Sequence, residues 1–323
     1  MESTMVPKDK IRVLGLIFLL VFAFYTFNVV PSVISWGPIN NYLNFSTRTT
    51  VNITDAMPEI LNVTCNSNQV TLVAGATQNV SCVIELRDFN GGDTINGTNG
   101  SGVNVSTFYF ILNQSNEPDD NNTHYTNNTC TVLGTPNGFY INWTCGFSVW
   151  YYANNGTWTI NVSVHDRYNN KSYNVTGYQN VTINPLYALN VTDVIDFGDM
   201  FVGETSQTSV QANITNFGNM NINVSVYGFG GDNQTLYPNL AMVCTIRNLS
   251  LTNERYSSDD QAWSSMTAIS ASAVLIPNIT IPQQQIDSQR EINTTYWRLF
   301  IDPTTNPFGQ CNGTVVFSAV AIN

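Results

Sequence analysis

Charge is what this chain has least of: only 10% of its 323 residues are Asp, Glu, Lys or Arg, about half the usual share. Lysine is nearly missing, with Lys8, Lys10 and Lys171 the only three. A formal net charge of -11 makes nucleic acid and anionic lipid poor partners. Histidine is equally scarce, at His124 and His165. There is no Gly-x-Ser-x-Gly elbow, no Cys-x-x-Cys, no His-x-x-x-His and no phosphate-cradling glycine pattern. The chain therefore offers no poised nucleophile, zinc set or nucleotide loop, and the expectation is a protein that is not an enzyme.

Long apolar runs are absent too, with one exception. Val13–Val30 carries no charge and approaches the length that crosses a bilayer, and Lys8, Lys10 and Arg12 precede it. Positive residues stay in the cytoplasm. The N-terminus is therefore expected inside, with residues 1–43 forming a cytoplasmic tip, a transmembrane signal-anchor and a juxtamembrane linker. The rest would be an extracellular ectodomain, or a secreted one if Ser32 or Ser35 marks a cleavage site.

What is abundant is Asn followed two residues later by Ser or Thr. Such acceptor triplets for N-glycans begin at Asn44, Asn52, Asn62, Asn79, Asn96, Asn99, Asn104, Asn113, Asn121, Asn127, Asn142 and Asn155. They continue at Asn161, Asn170, Asn174, Asn180, Asn190, Asn213, Asn223, Asn233, Asn248, Asn278, Asn293 and Asn312. All 24 follow the apolar run, whereas composition alone would give roughly eight. Sugar is added on the far side of the membrane, which places the whole chain after the run outside the cell.

Alternation of apolar and polar residues dominates beyond residue 50 and predicts an all-β ectodomain. Val80, Cys82, Ile84 and Leu86 share one face, as do Trp158, Ile160, Val162 and Val164, and Ile222, Val224 and Val226. Asn79, Asn142, Asn161, Asn180, Asn213 and Asn223 fall on the opposite parity, where a glycan meets solvent. A hydrophobic fraction of 43% fills two cores. The boundary is placed at Asn184-Pro185-Leu186, giving domain 1 at residues 44–185 and domain 2 at residues 186–323. Gln261–Ser270 is the one stretch read as a short helix.

Six cysteines in an exported chain are expected to pair. Asn137-Gly138 signals a hairpin turn with Cys130 and Cys145 equidistant from it, which leaves Cys65 with Cys82 and Cys244 with Cys311. Four cysteines permit three connectivities, so the first set stays open. Asp88, Asn90 and Asp93, with Glu117, Asp119 and Asp120, gather oxygen donors in loops that suit calcium, although acidic residues in polar loops are otherwise simply solvated.

Ile195-Asp-Phe-Gly-Asp-Met-Phe-Val-Gly-Glu-Thr-Ser, followed by Ala212-Asn-Ile-Thr-Asn-Phe-Gly-Asn-Met-Asn-Ile-Asn-Val, resembles the opening of immunoglobulin-like domains of the Hydin and adhesion type. Asn155-Gly-Thr-Trp-Thr-Ile-Asn-Val is similar to the penultimate strand of such a sandwich, with Ile160 where a cysteine usually stands. Together with Val63-Thr-Cys, Val80-Ser-Cys and the ending from Cys311, the chain resembles membrane-anchored or secreted surface glycoproteins of archaea. The resemblance implies two immunoglobulin-like β-sandwiches and no assigned activity.

The reading is a non-enzymatic coat, stalk or adhesion module that meets other surface proteins or copies of itself. Two other classes compete. One is a filament subunit in which a strand from Ser46–Val63 completes the sheet of the next copy. The other is a sugar or peptide receptor using Trp150, Tyr151 and Tyr152, a cluster that more often belongs to a core or a domain junction.

Overall fold

The computed structural model describes residues 46–95, 105–112, 120–128, 130–174 and 180–322. The expected transmembrane segment Val13–Val30 lies outside them. Among the described residues, no helix is long and apolar enough to cross a membrane. Residues 54–323 make one compact unit. Of the preceding unit, residues 46–53 are described, and they are exposed and without secondary structure.

Among the described residues, twenty strands follow one another. The first ten are β1 (Glu59–Cys65), β2 (Gln69–Val70), β3 (Thr77–Arg87), β4 (Val105–Leu112), β5 (His124–Asn127), β6 (Thr131–Asn137), β7 (Tyr140–Trp150), β8 (Gly156–His165), β9 (Lys171–Asn174) and β10 (Asn180–Ile183). The rest are β11 (Leu189–Val191), β12 (Val210–Asn216), β13 (Ile222–Gly230), β14 (Leu240–Ile246), β15 (Leu249–Ser250), β16 (Glu254–Ser257), β17 (Thr267–Ala268), β18 (Val274–Ile281), β19 (Ile292–Leu299) and β20 (Phe308–Ala321).

Period-two patterning explains most of them. In β3, Val80, Cys82, Ile84 and Leu86 are wholly buried while Asn79 and Glu85 face solvent. In β7, Ile141, Trp143, Cys145, Phe147 and Val149 repeat the pattern. The sheet β1-β3-β7-β6 faces the sheet β2-β10-β8-β4-β5, with β9 also paired to β8. Their shared core is built around Trp158, whose ring stacks on Phe110 at 4.7 Å and whose indole N–H donates to the Asn154 carbonyl at 2.9 Å. Here β8 is covered on both edges, by β4 on one and by β10 and β9 on the other.

A second core lies between β11-β12-β19-β16-β17 and β15-β14-β20-β13-β18. Trp297 occupies its middle, against Tyr256 and Phe317 at 5.4 and 5.9 Å. Its indole N–H donates to Thr295 Oγ1 at 2.9 Å, which removes the cost of burying it unpaired. The fold is all-β and sandwich-like.

The disulfides are Cys65–Cys82, Cys130–Cys145 and Cys244–Cys311. Cys65–Cys82 and Cys244–Cys311 join neighbouring strands, Cys130–Cys145 ties the residue before β6 to β7, and Cys65, Cys82 and Cys145 stand opposite one another across β1, β3 and β7. At the β6–β7 tip, Asn137 pairs with Tyr140, so the two-residue turn is Gly138-Phe139, one step later than Asn137-Gly138 predicts. A register shift between Leu133 and Asn137 absorbs the difference and leaves Thr131 opposite Thr144, beside the disulfide. The helix expected over Gln261–Ser270 is a single 3-10 turn at Trp263–Ser265 followed by β17. Arg255 explains it: its guanidinium donates to the carbonyls of Trp263, Ser264 and Met266 and lies over the Trp263 ring, holding the segment as a loop.

Candidate functional site

The calcium ligands expected at Asp88, Asn90 and Asp93 do not converge. Asp88 is fully buried and accepts from the Asn90 backbone N–H at 2.8 Å and from the Thr94 hydroxyl at 2.5 Å, closing a turn. Asn90 Oδ1 accepts from the Ala56 backbone N–H at 2.6 Å, and exposed Asp93 faces Arg167 at 3.8 Å. Asp120 caps its own turn by accepting from the Asn122 N–H at 3.0 Å, while Glu117 and Asp119 lie outside the described residues. These oxygens meet backbone N–H groups, the Thr94 hydroxyl and the Arg167 guanidinium. Among the described residues, no three acidic, His or Cys side chains gather around a metal position.

The aromatic run Trp150-Tyr151-Tyr152 is not an exposed platform. Tyr151 and Tyr152 are buried where the two sandwiches meet. The Tyr151 hydroxyl donates to Gln284 Oε1, and the Tyr152 hydroxyl donates to Asp287 Oδ1 at 3.3 Å. Burial pushes the Tyr152 phenol up to about 12, with Asp287 adding to the shift, so it stays a donor at neutral pH. Asn122 Nδ2 donates to the Tyr152 and Gln284 carbonyls, both at 3.0 Å, and Gln283 Nε2 donates to the Tyr152 carbonyl at 2.5 Å. The segment that supplies these groups, Gln283-Gln284-Gln285, reads in sequence as a polar loop. Only the packing of one sandwich on the other reveals its role.

His165 is half-buried, and its imidazole is pulled below its ordinary range by desolvation and then by Lys171, against the pull of Asp166. All six cysteines are in disulfides.

Among the acceptor asparagines, Asn52, Asn79, Asn142, Asn155, Asn180, Asn190, Asn213, Asn233, Asn278 and Asn312 are exposed. Asn62, Asn121, Asn127, Asn161, Asn170, Asn223, Asn248 and Asn293 are half-buried. Asn161 departs from the expected solvent-facing pattern, because its Oδ1 is enclosed without a hydrogen bond. Asn44, Asn96, Asn99, Asn104 and Asn113, and the side chain of Asn174, lie outside the description.

The feature that motif reasoning misses is a groove in the second sandwich. Two adjoining cavities, roughly 580 and 700 Å³, share Ile195, Asp196, Met242 and Cys311 in their walls. Phe197, Met200, Leu249, Leu299 and Ile301 line one, and Val191, Val315 and Phe317 line the other. Asp193, Asp196 and Asp199 stand exposed at the rim. Glu254, only 3% exposed, lines the second cavity, and no hydrogen bond or ion pair reaches its carboxyl among the described residues. Desolvation alone pushes this carboxyl up to about 8, so it is neutral at pH 7.

The groove exists because β20 is incompletely flanked. It pairs with β13 from Gly313 to Ala321 and with β14 only from Phe308 to Asn312. At Gly313 a Cβ would lie 1.9 Å from the Ala241 carbonyl oxygen, so only glycine lets β14 cross there before it leaves the sheet.

No family model matches the chain. No curated protein matches it either. Among solved structures, it is similar to a chain titled for the chaperone–tip adhesin complex of CFA/I fimbriae biogenesis, at 10% identity and a TM-score of 0.29, covering 83% of this chain and 92% of that one. It is also similar to dimeric latent PorU from Porphyromonas gingivalis, at 13% identity and a TM-score of 0.24, covering 82% of this chain and 20% of that one. Likenesses this weak carry no argument about function.

Proposed function

We propose that this chain is a non-enzymatic surface glycoprotein, a stalk, coat or adhesion module held at the membrane by its N-terminal segment and extended outward as two immunoglobulin-like sandwiches. The observation that carries the reading is the polar lock between the sandwiches. Asn219, Asn122, Tyr151 and Gln284 are buried there and cross-bonded, which suits a spacer that holds its shape rather than a hinge that closes on a substrate. The strand orders support the finer immunoglobulin-like reading: β2 runs parallel to β10 beside β8 and β4, opposite β1-β3-β7-β6. The acceptor asparagines support an exported, sugar-clad surface, since none of those whose burial is described is fully buried. Burial of Tyr151 and Tyr152 weighs against the sugar-receptor reading.

The test is protease shaving of intact cells followed by mass spectrometry. The reading expects glycopeptides from beyond residue 44 to be released. Recovery of these peptides only after lysis, or without sugar, would sink it.

A further inference from the structure

We propose that the open edge of β20 accepts, as an added antiparallel or parallel strand, the Thr47–Ile53 segment of a second copy of this chain. This goes beyond the surface-module reading and does not depend on it.

The acceptor is defined by comparing the two sandwiches. In the first, β8 has strands on both edges, and its inward residues Trp158, Ile160, Val162 and Val164 are between 0% and 6% exposed. In the second, β20 holds the corresponding place beside β13, yet from Gly313 to Ala321 its other edge has no partner strand among the described residues. Its inward residues Val315, Phe317 and Ala319 are left half-buried, as are Val316, Ser318 and Val320 on the other face. An edge of unpaired N–H and C=O groups beside half-filled apolar space is a template for one more strand. The adjoining cavities supply room for its side chains.

The donor is defined by its own pattern. Thr47, Thr49, Val51 and Ile53 occupy one parity, and Val51 and Ile53 are 82% and 84% exposed. Arg48, Thr50 and Asn52 occupy the other, so a glycan on Asn52 would point away from the groove when Val51 and Ile53 enter it. Thr47 or Thr49 brings a hydroxyl to the floor, where Glu254 has no partner. No acceptor asparagine falls between Gly313 and Ala321. The nearest acceptor in sequence, Asn312, stands at the Gly313 end of one cavity.

Reach excludes the chain's own groove. The segment joins the first sandwich at the Glu59–Arg87 end of β3, whereas the second sandwich meets it at the Thr77–Trp150 end. The eleven residues of β3 separate these ends by about 35 Å, whereas Ala56 is held near Arg87 by Asn90 and the free residues 47–55 before it span at most about 30 Å fully extended. With its own Thr47–Ile53 out of reach, the groove takes this segment from another copy, and repetition of the contact builds a head-to-tail chain.

The experiment uses the full chain in mild detergent, with mass followed by sedimentation against concentration. The parent is expected to rise to at least about twofold the monomer mass, and Val51→Asp with Ile53→Asp to stay monomeric. Both residues are exposed, so the substitutions leave the fold intact. A synthetic peptide of residues 46–57 is expected to reduce the parent to capped monomers. Mixing a Val51→Cys copy with an Ala319→Cys copy is expected to give an oxidised dimer that neither copy forms alone. A parent that stays monomeric, a Val51→Asp/Ile53→Asp variant that assembles as the parent does, or no cross-linked dimer would each overturn the proposal. Shaving and glycopeptide detection test the surface reading separately, so the two fail independently.

Discussion

Asn219 Nδ2, in the second sandwich, donates to the Ala153 carbonyl of the first at 3.0 Å. The same nitrogen donates to the Asn184 carbonyl at 3.1 Å, and Asn219 Oδ1 accepts from the Leu186 backbone N–H at 2.6 Å. One side chain, 1% exposed, thus satisfies three backbone groups where the chain passes from one sandwich to the other. Asn219→Ala leaves two carbonyls and an amide without this partner in the junction. Its expected cost is on the order of 2–4 kcal/mol in urea unfolding, with a broadened distance distribution in small-angle scattering. An unchanged unfolding midpoint would show that the junction is held elsewhere.

Glu254 makes stability depend on pH. Its carboxyl is raised from 4.5 to about 8 in the folded protein, so between these values the folded state holds a proton that the unfolded state has lost. Its contribution is complete below pH 4.5 and is lost as pH rises through 8, at up to about 1.4 kcal/mol per pH unit. Asp193 and Asp196 line the same cavity. Glu254→Gln should flatten the pH 5 to 8 stability profile measured by chemical denaturation, and an unaltered slope would assign it to other groups.

Gly313 should not tolerate even a methyl group. Gly313→Ala drives Cβ into the Ala241 carbonyl, a backbone atom that cannot swing aside, for an expected loss of about 3 kcal/mol. Gly198→Ala is the comparison: φ is +66° but nothing lies within 4 Å, so its cost is backbone strain alone, about 1 kcal/mol. Thermal melts of both variants would read the difference.

Asp88 is expected to matter without any metal. Asp88→Ala removes the acceptors of Asn90 N–H and Thr94 Oγ1 and should cost about 1–3 kcal/mol in calcium-free buffer. Adding calcium to the parent should leave its melting temperature where it was; an upward shift lost in Asp88→Ala would restore the ligand reading.

The disulfides should rank by the loop they close. Cys244–Cys311 spans 67 residues and Cys130–Cys145 spans 15, so replacing each pair by alanine should cost about 4 and about 3 kcal/mol on chain-entropy grounds. Equal midpoints after the two replacements would favour an enthalpic origin.

The β class and the Cys130–Cys145 pair were legible because both rest on short-range regularities, whereas Cys65–Cys82 and Cys244–Cys311 followed only by elimination. Alternation in Val80–Leu86 reports directly which face is buried, and the spacing about the β6–β7 tip brings Cys130 to Cys145. The Trp263 turn was misread because Arg255, eight residues earlier, takes the carbonyls a helix would have used. The role of the Asp88 loop was not legible because acidic side chains that cap backbone N–H groups look the same in sequence as those that bind a cation. Asn161 shows the limit of parity: position on a strand sets the face, but neighbouring strands decide whether that face is wet.

By itself, the sequence determined the low charge, the wealth of acceptor asparagines, the all-β class and which residues alternate inward, since each follows from composition or from a repeat of two residues. Only the tertiary structure decided that Tyr151 and Tyr152 are sealed in a junction and that, among the described residues, Glu254 is buried without a partner and β20 has an open edge. Those outcomes depend on strands far apart in the chain and on which neighbour each one lacks, and no local pattern records a missing neighbour.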